Sequence, residues 1–260
     1  MEIPLRCTAL IALAFALFSF PERADAQQYT DKTGWWLIYF GDNKLNDKFG
    51  LHTEAQLRNH FAENQVETSL FRLGLNMYTS KSTIATVGYG YFYNEPNDTE
   101  LPFAITREHR IWQQFLTRHK SRQLFTEHRY RLEQRFIEFG DGQPSLTDHR
   151  MRYRFQVIFP FFTLSPYLRH YFLAGYNEVM LNLRSNSAEI YDRNRLYVAL
   201  GYQVSPKLNF QLGYMNQAAR QPGLASLEIN HLLQATVSYN MDDLMRTFFR
   251  PADRPENPDR

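Results

Sequence analysis

The chain of 260 residues carries 29 Lys and Arg against 27 Asp and Glu, one cysteine and 15% aromatic residues, at a mean hydropathy of −0.49. So small a net charge leaves no nucleic-acid footprint, and a lone cysteine, Cys7, excludes a disulfide framework and a thiolate metal site. Beyond residue 27 no run is long and apolar enough for a transmembrane helix, which leaves strands with a polar residue at every second position as the way to carry so many aromatics.

The N-terminus reads as an export signal. Arg6 supplies a modest positive region, Thr8–Phe20 an apolar core, and Ala24-Asp25-Ala26 a small-x-small cleavage site, so residues 1–26 are expected to be removed. The alternative is an uncleaved anchor, for which the apolar core is shorter than the roughly 20 residues that span a bilayer. Removal takes away Arg6 and Arg23 against Glu2, Glu22 and Asp25, leaving 27 basic and 24 acidic residues with no cysteine.

Residues 27–240 then alternate with a period of two. Gly34–Gly41 is a short aromatic strand with Trp36, Ile38 and Phe40 on one face. Lys48–Asn59 sets Phe49, Leu51, Ala55 and Leu57 against His52, Glu54, Gln56 and Arg58; Thr68–Tyr78 sets Phe71, Leu73, Leu75 and Met77 against Arg72, Gly74 and Asn76. Thr83–Tyr93 follows a tight Ser80-Lys81 turn and turns Thr86, Gly88 and Gly90 inward, where small residues relieve crowding. A strand over Arg107–Arg118 carries Glu108, Arg110 and Gln114 on one parity.

The stretch Leu124–Phe139 alternates most sharply. Leu124, Thr126, His128, Tyr130, Leu132, Gln134 and Phe136 share one face, and Phe125, Glu127, Arg129, Arg131, Glu133, Arg135 and Ile137 the other. The next segment opposes His149, Met151, Tyr153, Phe155, Val157 and Phe159 to Asp148, Arg150, Arg152, Arg154 and Gln156. Further strands are expected near Tyr167–Asn177, Ile190–Gln203, Lys207–Gln217 and Leu227–Asn240, and the tail 241–260, rich in Pro, Asp and Arg, reads as disordered.

These segments predict an all-β, antiparallel transmembrane β-barrel of about 10–12 strands in a bacterial outer membrane, with the oily face toward lipid and lipopolysaccharide. Turns near Ser80-Lys81, Lys120-Ser121, Pro160–Ser165 and Ser205–Lys207 are short and so periplasmic, as is the tail; longer loops face the exterior. Eleven segments fit an even-numbered barrel poorly, so either the N-terminal strand packs beside ten others or a twelfth exists.

The inward charges form the candidate site, a lumen network of Glu54, Arg58, Arg72, Glu108, Arg110, Glu127, Arg129, Arg131, Glu133, Arg135, Asp148, Arg150, Arg152 and Arg154. Arg169, Arg193 and Arg195 are further inward candidates. A two-residue Lys120-Ser121 turn would set His119 opposite Arg122, Glu108 opposite Glu133 and Arg110 opposite Arg131, with the diagonals Glu108–Arg131 and Arg110–Glu133 of opposite sign. This places Glu133 between Arg110 and Arg152.

Several fragments resemble an outer-membrane family known as the domain of unknown function 2490. They are Trp36, Lys44–Leu51 leading to Glu54, Gln56 and Arg58, Glu108-x-Arg110-x-Trp112-Gln113, Arg129–Phe136, Arg150-x-Arg152-Tyr153-Arg154, Asn177-Glu178, Asn194-Arg195 and Gly213–Gln217. The resemblance implies an outer-membrane barrel and supplies no activity.

Three readings of the lumen follow. It is a plug of interlocking guanidinium and carboxylate groups, or a constriction whose arginine excess favours a small anionic solute, or part of a barrel enzyme acting on lipid or peptide. The first two make the chain an occluded or narrow channel or a structural envelope protein. Against the third, the tripeptides Glu108-His109-Arg110, Glu127-His128-Arg129 and Asp148-His149-Arg150 put each His on the face opposite its neighbours, and no nucleophile or phosphate-loop motif occurs. No catalytic residue, metal ligand or cofactor site is expected, because the eight histidines match no ligand spacing.

Overall fold

The computed structural model describes residues 29–62, 66–95, 105–121, 124–140, 144–161, 165–183, 190–220 and 226–240. The expected signal peptide with Cys7 and the expected tail lie outside the described residues. Eleven strands occur among the described residues: β1 (Tyr29–Lys44), β2 (Phe49–His60), β3 (Thr68–Tyr78), β4 (Thr83–Asn94), β5 (Thr106–Lys120), β6 (Phe125–Phe139), β7 (Leu146–Pro160), β8 (Tyr171–Asn182), β9 (Tyr191–Ser205), β10 (Leu208–Arg220) and β11 (Leu227–Asn240). Each pairs with its sequence neighbours, and β1 pairs with β11 to close the barrel.

That closure corrects the antiparallel expectation. Strands of a meander alternate direction, so the eleventh runs with the first, and β1 pairs β11 in parallel from Tyr29↔Leu227 to Asp42↔Asn240. The N-terminal strand is neither an accessory beside ten others nor one of twelve. It reaches well beyond Gly34–Gly41, with β2 on its other edge from Gly34↔His60 to Lys44↔Gly50. Parallel closure also sets Tyr29 and Asn240 at opposite ends of the barrel.

Two turns differ from their sequence reading. The β5–β6 ladder pairs Lys120 with Phe125, and Ser121 N–H donates to Leu124 O across a four-residue connection. Two-residue hairpin loops need positive φ and favour Asn-Gly or Asp-Gly; Lys120-Ser121 supplies neither. The register therefore slips by four residues from the expected one: Glu108 faces Ile137, Arg110 faces Arg135 and Trp112 faces Glu133. An even slip keeps every side chain on its face. After β7, Pro166–Leu168 forms a 3-10 turn capped by the Ser165 hydroxyl, so β8 starts at Tyr171 rather than Tyr167.

The polarity of the barrel is inverted relative to a soluble domain. Exposed positions include Leu37, Phe71, Leu73, Val87, Ile111, Phe115, Leu132, Leu173, Val198, Leu200, Leu212 and Leu233, while Glu54, Arg72, Glu108, Arg131, Glu133, Arg152 and Glu178 are buried. Several polar groups on the outer face pair with one another. Gln113 and Gln134 exchange two amide hydrogen bonds of 3.1 Å, Asn177 and Asn194 exchange a pair of 3.1 and 3.2 Å, and His109, His128 and His231 each bond a tyrosine hydroxyl, of Tyr89, Tyr153 and Tyr214.

The interior holds two apolar clusters and a charged network. Along the β1–β11 seam Trp36, Ile38, Tyr197, Ala199, Met215 and Leu232 form an apolar cluster, and Phe125, Ile158, Phe172 and Ala174 form a smaller one on β6, β7 and β8; paired charges and neutral polar side chains fill much of the rest. Trp112 is fully buried, its indole laid over the cross-strand pair Gly74↔Gly88. A Cβ on Gly74 would stand 2.7 Å from its Cη2, and one on Gly88 would also collide with the ring. The inward glycines thus make room for one indole. Past them its edge reaches the His52 imidazole, with 5.6 Å between ring centroids.

Candidate functional site

The network is built by side chains of one parity on successive strands, because alternate residues of a strand share a face. Glu54 and Arg58 come from β2, Arg72 from β3, Glu108 and Arg110 from β5, and Glu127, Arg129, Arg131, Glu133 and Arg135 from β6. Asp148, Arg150, Arg152 and Arg154 come from β7. All are buried except Arg58, Arg135 and Arg154, which are half-buried.

Glu133 stands at the centre, with no exposed surface. Its carboxylate accepts from Arg152 Nη1 at 2.8 Å and Arg110 Nη1 at 3.2 Å, with Arg72 Nη2 at 3.6 Å from across the lumen. From this hub ion pairs run both ways. Arg72 binds Glu54, while Arg110 binds Glu108 at 2.7 Å, which also takes Arg135, itself 3.2 Å from Asp148. On the other side Arg152 reaches Glu178 at 2.9 Å, which also takes Arg129 and, at 3.4 Å, Arg195.

The β6–β7 register explains why the pairs are diagonal. Arg131 faces Arg152 and Arg129 faces Arg154, and like charges directly opposite each other repel. Arg152 therefore leans to Glu133 and Glu178, and Arg154 to Glu127 at 2.7 Å, which Arg118 holds from its other side at 3.0 Å. Arg131 donates to the Gln114 side-chain oxygen Oε1 at 2.8 and 3.1 Å and lies over the Trp112 ring, 4.6 Å from its centroid.

The expected diagonal Glu108–Arg131 is replaced by Glu108–Arg135, because the register slips. Arg169 is exposed in the turn before β8, not in the lumen. Arg193 and Arg195 do line the interior. Sequence reading missed Arg118, Glu178, Asp192 and the pair Asp42–His52, whose Oδ1 and Nδ1 are 2.8 Å apart. Arg118 shares the parity of Arg110, a usable signal. Glu178 sits on a parity otherwise held by Phe172, Ala174, Tyr176 and Met180, which hides it. Asp192 enters through an irregularity where Tyr191 pairs Leu181 but Arg193 pairs Met180.

The belt separates two cavities. One of about 300 Å³ lies at the end marked by His60, Thr68 and Asn94, and one of about 130 Å³ at the end marked by Asp42, Arg118 and Asn209. A void of about 40 Å³ remains within the belt itself, between Glu54, Arg131, Glu178 and Gln234.

Fold and interior together define a closed β-barrel with an apolar exterior and a core of paired charges. Residues 33–227 match the family model described as protein of unknown function (DUF2490), and the chain belongs to that family. No curated protein matches the chain.

Proposed function

We propose that the chain is an outer-membrane barrel whose lumen is permanently filled, acting as a sealed structural element of the envelope rather than as an open pore. The observation that carries this reading is the inverted polarity: exposed Leu, Phe, Tyr and Val around buried, mutually paired Arg and Glu. Soluble proteins rarely expose so large an apolar surface, and lipid demands that polar groups be satisfied within the protein. The outward Gln113–Gln134 and Asn177–Asn194 pairs meet that demand. Strands of 11 to 16 residues exceed the roughly 9–11 needed to cross a bilayer.

In this reading the turn end faces the periplasm with the C-terminus of β11, and the larger cavity opens outward beside the start of β1. The outer face contacts lipid and lipopolysaccharide. The export signal supplies the route. Eleven strands depart from the even count usual for bacterial single-chain barrels, and the parallel β1–β11 seam is how the odd number closes.

Cell fractionation tests the location. The protein is expected in the outer-membrane fraction, as a band that migrates faster in detergent gels before heating than after. Recovery in the soluble periplasm alone, with no heat-dependent shift, would overturn the reading.

A further inference from the structure

The larger cavity, about 300 Å³, has a basic wall: Arg58, Arg193 and Arg195 line it together with Arg72, Arg110 and Arg150. Its carboxylates are already engaged. Glu108 holds Arg110 and Arg135, Glu67 lies 3.0 Å from His60, and Glu228 lies 3.2 Å from Lys32. Among the described residues no carboxylate comes within ion-pair distance of Arg58. Its Nε and Nη2 share one neutral acceptor, the Gln56 side-chain oxygen, at 3.0 and 2.6 Å, and its guanidinium lies over Trp36, 3.9 Å from the ring centroid.

Arg195 approaches the same indole at 4.8 Å, with Nε on Gln217 at 2.8 Å and Nη1 3.4 Å from Glu178, a carboxylate it shares with Arg129 and Arg152. Arg193 precedes it on the same face of β9 and uses Nε and Nη2 on Asp192, a carboxylate shared with Arg150. Two guanidinium groups thus share one aromatic platform, Arg58 with no carboxylate and Arg195 with one that two other arginines also hold, in a cup closed below by the Glu133 belt.

We propose that this cup binds one small phosphate-bearing anion, with Arg58, Arg193 and Arg195 as donors. Cations so close together repel unless an anion lies between them, and guanidinium groups from two strands can offer donors to a tetrahedral anion from several sides. The volume sits at the lower end of the range for small-molecule pockets, about 300–1,000 Å³. The inference rests on the geometry of the barrel interior and holds whether or not the barrel is in a membrane.

Calorimetric titration of the folded full-length protein in detergent tests it, at constant ionic strength set with chloride. The probes are inorganic phosphate, glycerol phosphate and a short-chain phosphatidic acid. Saturable binding with one site per barrel is expected from at least one. Binding of a water-soluble probe identifies a free solute as the source, and binding of the phosphatidic acid alone identifies a lipid headgroup.

Arg58→Gln should weaken binding about tenfold or more, since a charge-assisted hydrogen bond of roughly 1.5–3 kcal/mol is lost and about 1.4 kcal/mol is tenfold. Arg107→Gln, which removes an exposed charge on the outer face of β5, should leave binding within about twofold. If Arg58→Gln yields no heat-shifted folded band, Arg193→Gln replaces it. No saturable binding of any of the three probes, or equal loss in the inner and outer variants, would each overturn the proposal.

Discussion

Glu133→Gln is expected to lower the stability of the folded barrel by about 3–5 kcal/mol, the cost of breaking a fully buried ion pair by removing one partner. Glutamine can still accept a hydrogen bond, but it leaves Arg152, Arg110 and Arg72 sharing a neutral oxygen in a site with no exposed surface. An exposed pair would lose about 1 kcal/mol or less, so the size of the loss separates a dry plug from a wet channel. Arg152→Gln should also destabilise, although Glu178 keeps Arg129 and Arg195. The double variant should lose less than the sum of the two. Urea titration of the folded band in detergent measures all three, and additive losses would show that the two groups are not coupled.

Gly74→Val is the second large effect. Its Cβ would lie 2.7 Å from Trp112 Cη2 and 3.0 Å from Thr86 Cγ2, so the indole must leave its place over the glycine pair. Overpacking of this kind costs about 1–3 kcal/mol. In a Trp112→Leu background the same substitution meets a shorter side chain, and the loss should shrink below about 1 kcal/mol. The same loss in both backgrounds would mean that the tryptophan is not what requires glycine there.

Much of this interior was legible in the sequence because the central strands alternate charge with oil. From Glu127 to Arg135 every second residue is charged and the intervening side chains, His128, Tyr130, Leu132 and Gln134, carry no formal charge, so the faces follow from the pleat alone. The register was less legible, since it depends on a connection whose residues, Ser121 to Leu124, carry no strong hairpin signal. The four-residue slip left Glu133 between Arg110 and Arg152 because an even slip preserves parity and long side chains reach diagonal neighbours on either side.

The closure was not legible. In β1 both faces are apolar, Trp36 and Ile38 inward and Leu37 and Tyr39 outward, so alternation marks neither its length nor its partners. Pairing of the first strand with the last is a non-local choice that no periodicity encodes. Glu178 was invisible for a related reason: a single carboxylate among apolar inward neighbours makes no pattern, and only the arrival of Arg129, Arg152 and Arg195 from three strands shows what it does.

The central claim, a barrel sealed by its own side chains, is tested most directly by single-channel conductance in planar bilayers. The bilayers must be shown by the heat-dependent band shift to contain folded protein. The belt around Glu133 predicts no resolved current steps at any applied voltage for the wild-type chain. Reproducible steps, above all with anion selectivity, would contradict it and make the arginine-rich interior a conducting constriction.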